Sequence, residues 1–194
     1  MEYSLGVNKV DNPILITSPE DVYKLLKPYH DCDREVMFTL HLMPDMRVHY
    51  VQRSAIGSSA AICFDTHDIF REAIILKSKA IIVAHNHPYE ENVSPSTEDK
   101  NVTKRLYNIG EEARISLIDH IVFGPQKFFS IAQNMSGIFP SRPYYTLTQT
   151  ALEASRVEVV TEDTKTSKKS SKKRDQIVKR NSSPASSLIL KCWD

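Results

Sequence analysis

The chain is 194 residues long, 41% hydrophobic and 25% charged, which suits one compact domain with a modest extension and excludes collagen-like or wholly disordered character. The net charge of +1 hides an asymmetry: residues 1–140 carry 14 Lys plus Arg against 18 Asp plus Glu (net −4), whereas residues 141–194 carry 11 against 6 (net +5). A mildly acidic body argues against a folded nucleic-acid-binding surface, and leaves only the basic end for such contacts.

No apolar run approaches the roughly 18 residues needed to span a bilayer, and Met1-Glu2-Tyr3-Ser4 lacks the basic-then-apolar order of a secretory signal. A cytoplasmic protein with no membrane partner is therefore expected. Cys32, Cys63 and Cys192 are odd in number and form no C-x-x-C pair, which disfavours a disulfide framework or a cysteine metal knuckle. Any metal must use His, Asp or Glu.

In chain order, Ser18-Pro19-Glu20-Asp21 followed by Val22, Tyr23, Leu25 and Leu26 predicts a capped helix with proline in its first turn, ending near Pro28. Glu35 to Met43 reads as a strand, Pro44-Asp45 as a turn, and Arg47 to Arg53 as the antiparallel partner. Thr66-His67-Asp68 opens a helical pattern through Ile69, Phe70, Ala73, Ile74 and Leu76, which hands over to a β-branched apolar strand, Ala80 to Ala84. Val102, Leu106 and Ile109 recur at helical spacing, with Gly110 either ending that helix or lying inside it. Strands at Ile115 to Phe123 and Phe128 to Ile131 flank the Gly124-Pro125 turn. The succession predicts an α/β fold, a mixed β-sheet flanked by helices.

The expected organisation is an N-terminal extension over 1–13, a folded catalytic domain over 14–140, and a low-complexity basic tail over 141–194. Thr164 to Arg180 is nearly free of apolar side chains and cannot offset an ordering entropy of about 1–2 kcal/mol per residue, so the tail is expected to be mostly disordered.

The chemistry concentrates in one stretch. His85-Asn86-His87-Pro88, followed by Ser96 and Asp99, has the spacing H-x-H-P-x7-S-x2-D. On an extended chain residues i and i+2 face the same way, so His85 and His87 can address one ion at the end of the strand, and Asp99 can supply a third ligand. A zinc ion with three protein ligands lowers the pKa of a bound water from about 15.7 to about 7. The water then needs a carboxylate off the metal as general base. Glu35 is the candidate because it begins a strand that could neighbour the one ending at His85, with Glu72, Glu90 and Glu98 as competitors. Ser96 would donate to the oxyanion of a tetrahedral intermediate. Ser96-Thr97-Glu98-Asp99 is equally a common helix start, with Ser96 as N-cap, and the two roles are compatible.

Ala84-His85-Asn86-His87-Pro88, Pro95-Ser96-x-x-Asp99, Thr103-Lys104-Arg105-Leu106 and Asp119-His120-Ile121-Val122 together resemble the RadC branch of the JAB or JAMM metalloproteases with the MPN fold. Asp33-Arg34-Glu35 and Arg71-Glu72-Ala73 also resemble RadC text, and the resemblance covers roughly residues 14–135. It implies an MPN/JAB-like sheet, zinc ligation by His85, His87 and Asp99, Glu35 as the base, oxyanion support from Ser96, and hydrolysis of a peptide or isopeptide bond in a peptide or protein substrate. Two departures stand out. Tyr89-Glu90-Glu91 replaces the Ser-Gly-Asp that RadC sequences usually carry after the proline, and the chain resembles a short form without the helix-hairpin-helix segment. Asp119 and His120 are read as supporting the site or a strand end rather than ligating.

Two other readings compete. His85-Asn86-His87 also fits an HNH-type nuclease, which would need a further histidine in a following helix, and residues 99–114 contain none. A DNA-associated, non-proteolytic adaptor would use Lys168, Lys169, Lys172, Lys173 and Arg174 to attract nucleic-acid phosphates in a salt-dependent way.

Overall fold

The computed structural model describes residues 6–29, 33–57, 65–88 and 92–139. These form a mixed six-stranded sheet with helices on both faces: β1 (Gly6–Leu15), β2 (Val36–Leu42), β3 (Arg47–Ile56), β4 (Ala80–Asn86), β5 (Ser116–Phe123) and β6 (Phe128–Ser130), in the spatial order β1-β3-β2-β4-β5-β6. β4 is antiparallel to β2 and parallel to β5, so it is the strand at which the sheet changes sense. Every residue of β2 and β4 is buried, as expected of strands covered on both faces.

The side-chain alternation of these strands divides the interior in two. On one face Phe38, Leu40, Ile82, Ala84, Ile118 and Ile121 pack against Val22, Leu25 and Leu26 of α1 (Pro19–Leu26). On the other, Met37, Ile81, Val83 and Leu117 meet Ile69, Phe70 and Ala73 of α2 (Thr66–Ile75) and Leu106 of α3 (Thr97–Ala113). The candidate site lies on this second face, where β4 ends and α3 begins.

Local chemistry explains the helix starts. Asp21 Oδ2 accepts from Thr17 N and Oγ1 and from Ser18 N, tying the entry to α1. Asp65 caps α2 by accepting from His67 N at 2.9 Å. α3 runs through Gly110 instead of ending there, and stops at Arg114 in the left-handed region (φ 56°). Gly110 is required by close packing: a Cβ there would stand 2.6 Å from the carbonyl oxygen of Ile115.

Three features depart from expectation. β3 continues to Ile56, three residues beyond Arg53. A short helix, α4 (Ile131–Asn134), follows β6 where the pattern suggested strand to Ile131. Residues 1–13, expected to precede the domain, supply from Gly6 onward the edge strand β1, antiparallel to β3. Its register slips between Lys9 and Ile14, across Asp11-Asn12-Pro13. Proline and such irregularities are tolerated at a sheet edge and erase the period-2 signal by which a strand is read.

Among the described residues no helix is long and apolar enough to cross a membrane. The three cysteines, the Tyr89-Glu90-Glu91 segment, and the basic tail with Lys168, Lys169, Lys172, Lys173 and Arg174 lie outside the described residues.

Candidate metal centre

β4 carries His85 to its last turn of pairing, where His85 lies opposite Met37 of β2 and Val122 of β5. His87 follows in extended continuation, its backbone N–H donating to Phe123 O at 2.8 Å. Ser96 caps α3: its Oγ accepts from Asp99 N at 3.0 Å, while its own hydrogen goes to Asp99 Oδ2 at 2.7 Å and its backbone N–H to the same oxygen at 2.8 Å. This reciprocal arrangement, the capping box, holds Asp99 Oδ2 and leaves Oδ1 facing His85 Nε2 at 3.5 Å.

His85 Nε2 also lies 3.3 Å from His87 Nε2. Behind His85, its Nδ1 is 2.9 Å from His120 Nε2, and His120 Nδ1 is 2.7 Å from Thr103 Oγ1. Ligand atoms of His85, Asp99 and His120 all fall within 4.8 Å of one another, so a His–Asp–His cluster able to hold a metal ion is present.

Hydrogen-bond roles sort these nitrogens. His87 Nδ1 must donate to the Asn92 carbonyl, 2.8 Å away, so in the neutral ring Nε2 is bare. Burial, followed by the neighbouring His120, pushes the His85 imidazole down to about 3 despite the opposing pull of Asp99. Burial likewise takes His120 to about 4, again against Asp99. Both rings are therefore neutral at pH 7 and offer lone pairs without first losing a proton. Burial raises Asp99, but attraction to His85 and the Ser96 hydrogen bonds outweigh it, and its carboxyl lies below the ordinary range. The site thus presents neutral imidazoles and an ionised carboxylate, a donor set suited to zinc.

Glu35 stands half-buried just before β2. The ladder between β2 and β4 ends at this side with Met37 opposite His85, so two residues further along each chain Glu35 comes level with His87. Here the ladder is completed by a side chain. Asn86 Oδ1 accepts from Val36 N at 2.7 Å and Asn86 Nδ2 donates to Arg34 O at 3.0 Å, so one fully buried amide grips both peptide groups flanking Glu35. On the other side Glu35 O accepts from Gly57 N at 2.7 Å.

The structure therefore brings His85, His87, Asp99 and Ser96 together and sets the backbone of Glu35 at the neighbouring strand end. Ser96, considered as an oxyanion donor, has its hydrogen committed to Asp99. Asp119 is fully buried and accepts from His120 N, Ala132 N and Ser130 Oγ, joining β5 to the start of α4. Sequence reasoning gave no role to Asn86, Asn92 or Thr103. The signals for Thr103 were its place in the RadC-like stretch Thr103-Lys104-Arg105-Leu106 and its position four residues after Asp99, on the same helix face.

His85-Asn86-His87 closes a strand that continues through α3 into a parallel neighbour, not the hairpin an HNH nuclease motif requires. The RadC-like JAB domain family matches residues 16–137. Among curated relatives, a UPF0758 protein of Alkaliphilus oremlandii is 35% identical over 127 residues, covering 65% of this chain and 54% of its own length. A UPF0758 protein of Clostridioides difficile is 43% identical over 81 residues, 42% of this chain and 34% of its own. One from Aquifex aeolicus is 34% identical over 120 residues, 62% and 52% of the two lengths. The chain spans about half the length of the curated relatives it matches, and with most of its described residues inside the matched region it belongs to the RadC-like JAB domain family.

Proposed function

We propose that this protein is a zinc-dependent metallohydrolase of the JAMM type that cleaves a peptide or isopeptide bond, with His85, His87 and Asp99 as ligands and Glu35 as general base. The observation that carries the reading is the pair of contacts made by His85 Nε2, 3.3 Å from His87 Nε2 and 3.5 Å from Asp99 Oδ1. His87 Nε2 and Asp99 Oδ1 both stand beside His85 Nε2, and a cation held among them would relieve the repulsion of their lone pairs. Zinc held there would acidify a water molecule and polarise the scissile carbonyl.

The chain's own residues do the rest. The Glu35 carboxylate takes a proton from the attacking water as its oxygen bonds to the carbonyl carbon, then passes that proton to the leaving nitrogen as the C–N bond breaks. Ser96 holds Asp99 in place through its two hydrogen bonds, and Asn86 holds the strand end that bears Glu35.

Metal analysis of the purified protein, combined with a peptide and isopeptide substrate profile, tests the proposal. His85→Ala should lose zinc and hydrolysis together, and Glu35→Gln should keep zinc and lose hydrolysis by a factor of at least about 100, the lower end of what general-base catalysis contributes. Hydrolysis retained in Glu35→Gln, or wild-type protein that takes up no zinc, refutes it.

A further inference from the structure

We infer that Thr103 and His120 form a proton-positioning relay that holds His85 in its Nδ1–H form and so keeps Nε2 bare toward Asp99 and His87. Thr103 Oγ1 lies 2.5 Å from the carbonyl oxygen of Asp99. Two oxygens that close must share a hydrogen, and the carbonyl has none, so the hydroxyl donates to Asp99 O. That single hydrogen is then spent. The contact from Thr103 Oγ1 to His120 Nδ1, 2.7 Å, is left with His120 as its donor. A neutral His120 protonated on Nδ1 has a bare Nε2, which accepts from His85 Nδ1–H across 2.9 Å. The direction of every bond follows from one carbonyl on α3.

The relay closes a ring, because the residue whose carbonyl starts it also presents Oδ1 to His85 Nε2. Thr103 and His120 are both fully buried, so no water can substitute for a missing link from outside. Without the relay the opposite arrangement is favourable: His85 Nε2–H would donate to Asp99 Oδ1, already 3.5 Å away, and fill the site with a proton. Thr103 is therefore a positioning residue that decides which side of His85 carries hydrogen. Thr103→Val removes the acceptor for His120 Nδ1–H. The relay then reverses: His120 carries hydrogen on Nε2, His85 accepts on Nδ1 and is protonated on Nε2.

The tautomers are read directly by long-range proton–nitrogen correlation spectra of the full chain with 15N-labelled histidine, metal-free at neutral pH, each ring assigned by its own substitution. His85 and His120 should both be Nδ1–H in the wild type, His85 should switch to Nε2–H in Thr103→Val and Thr103→Ala, and Thr103→Ser should restore the wild-type pattern. In a parallel zinc titration against a chelator, both hydroxyl-free variants should bind about 10-fold to 100-fold more weakly than wild type and Thr103→Ser should recover, the range typical when a ligand loses its supporting hydrogen bond. Only this second arm rests on the proposed metal reading. A wild-type His85 protonated on Nε2, or tautomers and zinc affinity unchanged in both hydroxyl-free variants, overturns the relay. Nδ1–H histidines in a wild type that binds no zinc would uphold the relay and refute the metal reading.

Discussion

Asn86→Ala should loosen the strand end that carries Glu35, and the structure sets the scale. The substitution removes the 2.7 Å bond from Val36 N–H and the 3.0 Å bond to Arg34 O. Val36 is fully buried, so its amide would be stranded away from water, at a cost of about 1–3 kcal/mol. The Arg34 side chain is exposed, and its carbonyl can turn to solvent, so the second loss is an ordinary hydrogen bond of about 0.5–1.5 kcal/mol. Together they come to about 1.5–4.5 kcal/mol, which a urea titration reads as a midpoint lowered by about 1–2 M for a domain of this size.

Asn86→Asp separates the two halves. Its carboxylate still accepts from Val36 N–H but faces the Arg34 carbonyl without a donor, so the Val36 amide should stay protected from hydrogen exchange while the Arg34–Glu35 linkage loosens. The two variants should therefore differ most at Val36 and least at Gly57, whose N–H bonds to Glu35 O on the other side. An Asn86→Ala protein within about 0.5 kcal/mol of wild type, with Val36 exchange unchanged, would show that the amide does not hold this strand end.

Gly110→Ala sets helix propensity against packing: alanine favours the helix by about 1 kcal/mol, but a Cβ 2.6 Å from the Ile115 carbonyl forces α3 off the start of β5 at about 1–3 kcal/mol. Thermal denaturation should show a lowered Tm, and a raised one would refute the close-approach argument. His41, fully buried between Ser78 Oγ and Gln52 Oε1, has its pKa pushed down to about 4 by burial, against the raising effect of the Gln52 bond. Its unfolded value, about 6.5, is higher, so the unfolded chain binds the extra proton between these values and stability falls as pH drops from 6.5 toward 4, by about 3 kcal/mol in all. In urea unfolding across this window, His41→Asn should show a slope shallower than wild type by about 1 kcal/mol per pH unit. Parallel curves would mean that His41 is not the titrating group.

What could be read from the sequence was local. The offset of two between His85 and His87, and of three between Ser96 and Asp99, are periods of a strand and of a helix N-terminus, so the side chains share a face as soon as the elements form. β4 was readable because five consecutive apolar residues bury on both faces whatever their neighbours are. β1 was not, since an edge strand interrupted by Asp11-Asn12-Pro13 owes its conformation to β3, whose partner residues run from Arg47 opposite Leu15 to Arg53 opposite Gly6, far along the chain. The same limit hid the partners of Asn86, Thr103 and His120, although a supporting part for His120 was expected. They lie 50, 17 and 35 residues away in sequence, at positions set by the order of strands and not by any spacing within one element.

That order also explains why the site needs this fold. β4, α3 and β5 are consecutive, and the parallel pairing of the two strands requires a crossover, which α3 supplies. A helix crossing from the end of β4 to the start of β5 must begin beside the last residues of β4, which brings Asp99 to His85. Four residues on, the helix has turned once and lies over β5, which brings Thr103 to His120. One crossover thereby sets both sides of His85, the ligand side and the supporting side. A substitution that shifts α3 along the sheet, as Gly110→Ala does from its far end, should therefore disturb the His85 tautomer as well as the stability. Wild-type histidine signals in a Gly110→Ala protein of lowered Tm would show that the ring is held locally and not by the placement of the helix.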